Sequence, residues 1–196
     1  PMADQIKVPL YHTGYVVQSI SPSRLENCLP ILLVSIGGGR MGNELLYAMI
    51  EAHKLITCHW QHKLVLFIGA FQRDDQMLQS VVNKNDMTNI TLLSFDKNSY
   101  LQNLAKASAV VCMGGYNSVL EAVSTGVPVL IYNRKFLGNN KEQELRSTLF
   151  QKFGLVASFG EEDLAQEKLA TKIIDIIKNT NRHYQNIKFN GAEVTC

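Results

Sequence analysis

Short apolar segments that alternate with longer segments of helical periodicity constrain the fold of this chain more than any other feature. Several of the short segments are apolar at consecutive positions, as strands buried on both faces must be. Six of them follow residue 30: Ile31 to Ile36, Leu64 to Ile68, Ile90 to Phe95, Ala109 to Met113, Val127 to Tyr132 and Leu155 to Phe159. Strands that alternate with helices need crossover connections. The sequence therefore predicts a Rossmann-like α/β fold, a doubly wound parallel sheet with helices on both faces.

The segment before the first strand differs in character from the rest. Residues 8–17 have the composition of an extended segment, and Ser21-Pro22-Ser23 is typical of a turn. We predict an N-terminal extension or interdomain linker with a possible edge strand at 1–29, a Rossmann-like domain at 30–180 and a C-terminal tail at 181–196. Because the sequence begins at Pro1, either a methionine was removed or the chain is a piece of a longer protein.

Charge and cysteine usage narrow the class of protein. Nineteen Lys and Arg against 17 Asp and Glu give a net charge of +2, too small to predict a nucleic-acid partner. The sequence lacks an apolar run long enough for a membrane span, so we expect membrane association only through a part outside this sequence. Cys28, Cys58, Cys112 and Cys196 form no C-x-x-C pair, which favours a reducing cytoplasm. The Cys-His-x-x-His segment at 58–62 lacks a fourth ligand, so we predict no metal.

A glycine-rich turn follows the first strand and opens the first helix. The segment from Ser35 to Gly42 lets the backbone approach a ligand, and the helix N-terminus offers N–H groups to an anion. Gly37, Gly39 and Gly42 match the dinucleotide pattern G-x-G-x-x-G, but no acidic residue ends the second strand. Arg73 stands there instead, which leaves an NADP site as a minor alternative. A turn needed only for strand-to-helix packing is another.

A second glycine turn leaves the fourth predicted strand. Gly114 and Gly115 free the backbone there, and Asn117 or Ser118 is expected to cap the following helix, which makes a second site for an anion. Glu121 has two interpretations: capping-box partner of Ser118, three residues earlier, or a carboxylate that accepts hydrogen bonds from ribose hydroxyls. Turns after the first and fourth strands predict one crevice at a topological switch point, of a size for a nucleoside diphosphate.

Downstream, a polar helix start contains two further candidate residues. Glu142 and Gln143 carry groups suited to paired hydrogen bonds with sugar hydroxyls. A solvated helix face explains the same residues equally well from the sequence alone. Their interpretation therefore depends on the turns that precede them.

Three segments in this order and spacing resemble a known family: Gly-Gly-Tyr-Asn-Ser-Val-Leu-Glu-Ala, Gly-Val-Pro-Val-Leu-Ile and Glu-Gln-Glu-Leu-Arg. They are similar to the C-terminal, donor-binding half of GT-B glycosyltransferases. Within that family, the resemblance is to the N-acetylglucosaminyltransferases of cell-wall lipid intermediates and to related bacterial glycosyltransferases. It implies transfer of a sugar from a nucleoside diphosphate, UDP above all, to an acceptor hydroxyl, without a metal or other cofactor.

The resemblance also implies roles for individual residues. The first glycine loop lies near the diphosphate, the second holds it, the helix glutamate binds the ribose, and the acidic-Gln pair reads the donor sugar. The candidate donor-binding residues are thus Gly37, Gly38, Gly39, Gly114, Gly115, Asn117, Ser118, Glu121, Glu142 and Gln143. Backbone groups near Phe95 and Asp96 are expected to contact the base.

Two departures from the family pattern bear on activity. Met113 stands where many members have a histidine that binds phosphate. The acceptor-binding N-terminal half, which supplies the general base in the family, is absent from this sequence, so no catalytic residue is assigned. We expect binding of a nucleotide sugar, with an N-terminal acceptor domain or a separate acceptor subunit as partner. A nucleotide-sugar epimerase domain and a non-catalytic donor-binding subunit remain the alternatives.

Overall fold

Within the residues that it describes, the computed structural model has one six-stranded parallel sheet with helices on both faces. It describes residues 7–23, 27–37, 41–69, 75–84, 89–134, 141–179 and 187–196; the side chains of residues 75, 84, 141 and 142 lie outside this description. The strands are β1 (Ile31–Ser35), β2 (Lys63–Ile68), β3 (Ile90–Ser94), β4 (Ala107–Met113), β5 (Val129–Tyr132) and β6 (Ala157–Phe159). All six predicted strands are thereby confirmed.

The sheet order places the first and fourth strands next to each other. From one edge to the other it runs β3, β2, β1, β4, β5, β6, and every neighbouring pair is parallel. The chain therefore reverses its direction of winding between β1 and β4, which is the switch point of a doubly wound sheet. The predicted fold class is confirmed.

Two apolar layers cover the sheet, one on each face. The helices are α1 (Asn43–His59), α2 (Asp75–Lys84), α3 (Lys97–Lys106), α4 (Tyr116–Ser124), α5 (Lys141–Lys152), α6 (Gln166–Lys178) and α7 (Gly191–Thr195). Side chains of α1, α2 and α6 form one buried cluster with the strands, and side chains of α3, α4 and α5 form the other. Leu45, Met49, Ala52 and Ile56, at helical spacing in α1, are all fully buried.

The N-terminal segment packs beside the sheet instead of extending it. Val16 forms an isolated antiparallel bridge with Asn190, and Tyr15 N–H donates to Lys188 O at 2.8 Å. The Tyr15 ring contacts Phe150 and Phe189. An edge strand between residues 7 and 23 was therefore a wrong prediction, because this segment pairs with the C-terminal tail. Within the described residues, no helix is long and apolar enough to cross a bilayer.

Candidate functional site at the switch point

The turns after β1 and β4 leave the sheet side by side. Ser35, the last residue of β1, pairs with Cys112 near the end of β4. Parallel neighbours end at the same edge of the sheet, so the turns that follow share one crevice. This confirms the switch point between the first and fourth strands, where both predicted glycine turns begin; a ligand crevice there stays a prediction.

The first loop is held close to the second by a glycine. Gly42 caps α1 with a φ of 115°, and a Cβ built on it would come to 2.7 Å from Met113 Sδ. Only a residue without a side chain fits this conformation and this contact. Gly37 also has a positive φ, and its N–H donates to Ser35 Oγ at 3.2 Å. Gly38 and Gly39 lie outside the described residues.

The second loop starts α4 without a side-chain cap. Gly115 is the N-cap residue, and no side chain accepts a hydrogen bond there. The prediction that Asn117 or Ser118 caps the helix was wrong, because both lie inside its first turn. The first bond within the helix is donated by Val119 N–H to Gly115 O at 3.1 Å. The N–H groups of the preceding helical residues are therefore not used by the helix itself, and they give α4 an anion-binding end.

Nothing in the described surroundings of Gly115 requires a residue without a side chain. Its φ of −63° and ψ of 138° suit any residue. A Cβ built there would meet no atom closer than Ser118 Oγ, at 3.9 Å. This glycine leaves open space at the helix start, as a close approach of backbone to a ligand requires.

Arg146 of α5 braces the second loop. Its Nη1 donates to Gly114 O at 3.4 Å, and its guanidinium lies over the Tyr116 ring, 4.8 Å from the centroid. One side chain thus holds the residues on both sides of Gly115. This role could not be predicted from the sequence, because an arginine inside a polar helix looks like a solvated side chain.

Glu121 is buried on α4 and forms an ion pair. Lys97 Nζ, on the first residue of α3, donates to Glu121 Oε1. Because Ser118 is the third residue of the helix rather than its cap, the capping-box interpretation of Glu121 was wrong. Its carboxylate faces α3 and Tyr100, where burial together with the nearby Cys112 and Glu121 raises the pKa of the Tyr100 hydroxyl.

The start of α5 lies against the second loop, as its predicted role requires. A Cβ built on Gly114 would lie 3.8 Å from Gln143 Cβ and 3.9 Å from Asn133 Oδ1. Gln143 is exposed beside the crevice. Glu142 belongs to α5, but its side chain is outside the described residues. The ribose-binding and sugar-binding roles of these residues stay predictions.

A second ion pair, also missed from the sequence, joins the start of α1 to the end of β5. Arg134 Nε lies 2.8 Å from Glu44 Oε1, and Tyr132 Oη donates to the same oxygen at 3.3 Å. Burial raises the pKa of Tyr132 above its usual range, and the Glu44 carboxylate adds to the shift. Tyr132 therefore stays protonated and serves as a donor. These contacts tie the start of α1 to the end of β5.

The histidines near the end of α1 form a buried pair. His62 Nδ1–H donates to Trp60 O at 2.8 Å, and the His62 ring stacks on Trp60. His62 Nε2 therefore accepts from His53 Nδ1–H, at 3.2 Å. Burial lowers the pKa of His62 to about 4. Among the described residues, no group of three or more His, Cys, Asp and Glu side chains is placed to hold a metal.

A cavity of about 840 Å³ lies beside the second loop. Tyr116 and Arg146 line it, together with residues of the N-terminal segment, of α5 and of the C-terminal tail. It contains none of the sequence-predicted site residues. Arg73, on which the NADP alternative depended, is outside the described residues.

Comparison with known proteins identifies a family for this chain. The sequence matches the glycosyltransferase family 28 C-terminal domain over residues 33–194. A curated relative is the UDP-N-acetylglucosamine–N-acetylmuramyl-(pentapeptide) pyrophosphoryl-undecaprenol N-acetylglucosamine transferase of Caldanaerobacter subterraneus subsp. tengcongensis, with 27% identity over 143 residues. That match covers 72% of this chain and 38% of the relative, so the chain spans about two fifths of that protein's length.

Solved structures show the same fold. The calicheamicin glycosyltransferase CalG4 superposes with a TM-score of 0.65 at 18% identity, over 92% of this chain and 42% of CalG4. MurG of Acinetobacter baumannii superposes with a TM-score of 0.63 at 16% identity, over 89% of this chain and 52% of MurG. Because the family match extends over most of the sequence and the fold agrees, this chain belongs to the glycosyltransferase family 28 C-terminal domains, one half of the GT-B fold.

Proposed function

We propose that this chain binds the donor of a sugar-transfer reaction, a UDP-sugar, in the crevice between β1 and β4. The observation that carries the proposal is the presence of an open glycine N-cap and a buried carboxylate on one helix. Gly115 is the N-cap of α4, and Glu121 follows six residues later, about 9 Å along the helix axis. A diphosphate at the helix start then leaves the attached ribose within reach of the carboxylate.

Each predicted site residue has a role in this proposal. The backbone N–H groups of the two loops and of the first turn of α4 bind the diphosphate, because they carry partial positive charge toward it. The Glu121 carboxylate accepts hydrogen bonds from the ribose hydroxyls, and Glu142 and Gln143 bind hydroxyls of the donor sugar. The residues of the two loops are Gly37, Gly38, Gly39, Gly114, Gly115, Asn117 and Ser118.

The reaction we propose is a displacement at the anomeric carbon. The oxygen of an acceptor hydroxyl bonds to that carbon while the bond from the carbon to the diphosphate oxygen breaks. The hydroxyl proton passes to a base that an acceptor-binding domain or subunit supplies, and UDP leaves. Negative charge develops on the departing diphosphate, where the oriented N–H groups stabilise it without a metal.

Three findings support this proposal. The family match is to the C-terminal domain of glycosyltransferases, and the curated relative is named for transfer from UDP-N-acetylglucosamine. A Cβ on Gly115 would meet no described atom closer than 3.9 Å, so the start of α4 is open there. The described cysteines are free, and three of them are exposed, which supports a reducing cytoplasm as the place of action.

Calorimetric titration of the chain with UDP tests the proposal. We expect UDP to bind and NADPH not to bind. Gly115→Val should lower the affinity for UDP about a hundredfold or more, because the added side chain occupies the path of the diphosphate. Uridine, which has no phosphate, is the ligand control and should bind both proteins equally. The unfolding midpoint of the variant should match that of the original chain.

Two results would contradict the proposal. NADPH binding in the absence of UDP binding would identify a dinucleotide site instead. Unchanged UDP affinity in a folded Gly115→Val protein would show that the diphosphate is bound elsewhere.

A further inference from the structure

Lys97 occupies a position beside the proposed ribose site that none of the predicted roles accounts for. It is the first residue of α3, and its ammonium donates to Glu121 Oε1 across the gap between α3 and α4. The two side chains are unequally exposed, with 47% of Lys97 and 9% of Glu121 accessible to solvent. The pair is therefore a nearly buried carboxylate held by a cation that reaches it from the surface.

Glu121 depends on this contact more than Lys97 does. A carboxylate removed from water is costly unless it is paired and hydrogen-bonded. Among the described residues, Lys97 is the one side chain that donates to the Glu121 carboxylate. Oε2 of that carboxylate has no hydrogen-bond partner within the part of the chain that the structure describes. One oxygen is thus held and the other remains for a ligand.

The surroundings of Lys97 hold its ammonium in place. Asp96 caps α3 by accepting from Ser99 N–H at 2.7 Å, so the helix start that carries Lys97 is well defined. The ammonium lies 5.9 Å from the centroid of the Tyr100 ring, and Tyr100 is 1% exposed. Attraction between the ammonium and the ring face adds to the ion pair. The ammonium is therefore held at the start of α3 by the ion pair and by the Tyr100 ring.

We propose that Lys97 is a positioning residue of the nucleotide site: it engages Oε1 of Glu121, which leaves Oε2 for the ribose hydroxyls. The proposal rests on the proposed function, since it assigns the ribose to Glu121. Lys97 acts through the carboxylate and not by contact with the diphosphate. Its removal should then affect only ligands that carry ribose hydroxyls.

The test compares UDP with 2′,3′-dideoxy-UDP by calorimetry on the 196-residue chain. Lys97→Met keeps the aliphatic stem and removes the charge, and we expect it to weaken UDP about tenfold. The affinity for the dideoxy ligand should change by less than about twofold. Lys97→Arg keeps the charge and should restore UDP affinity to within about threefold. Lys106→Met, an exposed lysine at the other end of α3, is the matched control and should bind both ligands as before.

Variants built on a Glu121→Gln chain show whether Lys97 acts through Glu121 or independently of it. In a Glu121→Gln chain, adding Lys97→Met should cause no further loss of UDP affinity, because the carboxylate that Lys97 positions is already gone. Additive losses would overturn the proposal. Equal losses for UDP and the dideoxy ligand in Lys97→Met would also overturn it, since Lys97 would then bind the diphosphate directly. Unchanged or tighter UDP binding by Lys97→Met would overturn it as well.

The ion pair can be tested without any ligand. We expect Lys97→Met to lower the melting temperature by about 4 °C, because it leaves a nearly buried carboxylate unpaired. The double variant Lys97→Met/Glu121→Gln should recover most of that loss. If UDP does not bind the original chain, the proposed function fails. The melting temperatures of the two single variants and the double variant, a double-mutant cycle, still measure the coupling between Lys97 and Glu121. An absence of coupling in the cycle would overturn the positioning role whether or not UDP binds.

Discussion

Gly42 and Met113 lie in contact at the point where the two glycine loops meet. A Cβ added to Gly42 would come to 2.7 Å from Met113 Sδ and 2.9 Å from Ile36 Cγ2. The glycine also has a φ of 115°, which residues with side chains rarely adopt. A glycine is therefore required where the start of α1 packs against the end of β4.

We predict that Gly42→Ala lowers the free energy of unfolding by about 2 to 5 kcal/mol, the sum of backbone strain and overpacking. The measurement is urea unfolding followed by circular dichroism. Gly154→Ala is the matched control, because Gly154 also has a positive φ, of 70°, but a Cβ there meets nothing within 4 Å. That variant should lose about 1 to 2 kcal/mol. Equal losses in the two variants would contradict a steric role for Met113.

Glu121→Gln should separate ligand binding from stability. The amide cannot accept from both ribose hydroxyls as a carboxylate does, so UDP affinity should fall about tenfold, or about 1.4 kcal/mol. The half-exposed Lys97 regains water when its partner is lost, so the melting temperature should change little. Calorimetry and thermal unfolding measure the two effects.

The control for this prediction is Glu51→Gln, the same chemical change at an exposed position of α1. It should leave both UDP affinity and melting temperature unchanged. A Glu121→Gln protein that melts early but binds UDP normally would reduce Glu121 to a structural residue.

Stability should fall in acid because of His62. The pKa of this buried histidine is about 4 in the folded chain, against about 6.5 when unfolded. Between these values the unfolded chain binds the extra proton, so the free energy of unfolding decreases as the pH falls from 6.5 to 4. The contribution amounts to about 3 kcal/mol over this range, at about 1.4 kcal/mol for each pH unit.

Urea unfolding at a series of pH values checks this prediction against two variants. His62→Gln should flatten the dependence between pH 6.5 and 4. His59→Gln, at the exposed end of α1, should retain the original slope. A His62→Gln chain with the unaltered slope would refute the assignment to His62.

Thiol reactivity should distinguish the cysteine in the sheet from the other three. Cys112 is fully buried on β4, and burial raises the pKa of its thiol to about 12, so little thiolate forms at pH 8. Cys28, Cys58 and Cys196 are exposed. In the native chain, Ellman's reagent should titrate three thiols quickly and the fourth only on unfolding. Cys112→Ala should show the same fast phase with no later one, whereas four fast thiols would contradict the burial of Cys112.

The strands could be predicted from the sequence because each lies between two layers of helices. Every residue of such a strand faces an apolar layer, so the pattern is local and visible in consecutive positions. The predicted ends of the strands were less accurate. The prediction started the fifth strand at Val127, but β5 begins at Val129. Pro128 has no N–H for the ladder and contributes its carbonyl alone, to Val110 N–H at 2.8 Å.

The contacts that shape the site could not be predicted in this way. Lys97 and Glu121 are 24 residues apart, and neither stands in a pattern that points to the other. Glu44 and Arg134 belong to the first helix and to the loop after the fifth strand. The prediction also misplaced the start of α4. It assigned the N-cap to Asn117 or Ser118, residue types that commonly cap helices, whereas the N-cap is Gly115, where no side chain accepts a hydrogen bond.

The sequence by itself determined the layers of this protein and the two glycine turns that follow β1 and β4. Hydrophobic periodicity and glycine positions act within a few residues, so they can be read along the chain. Only the tertiary structure decided which charges meet at the crevice. A side chain such as Glu121 acquires its environment from α3, which the fold brings against α4, and no local pattern records that contact.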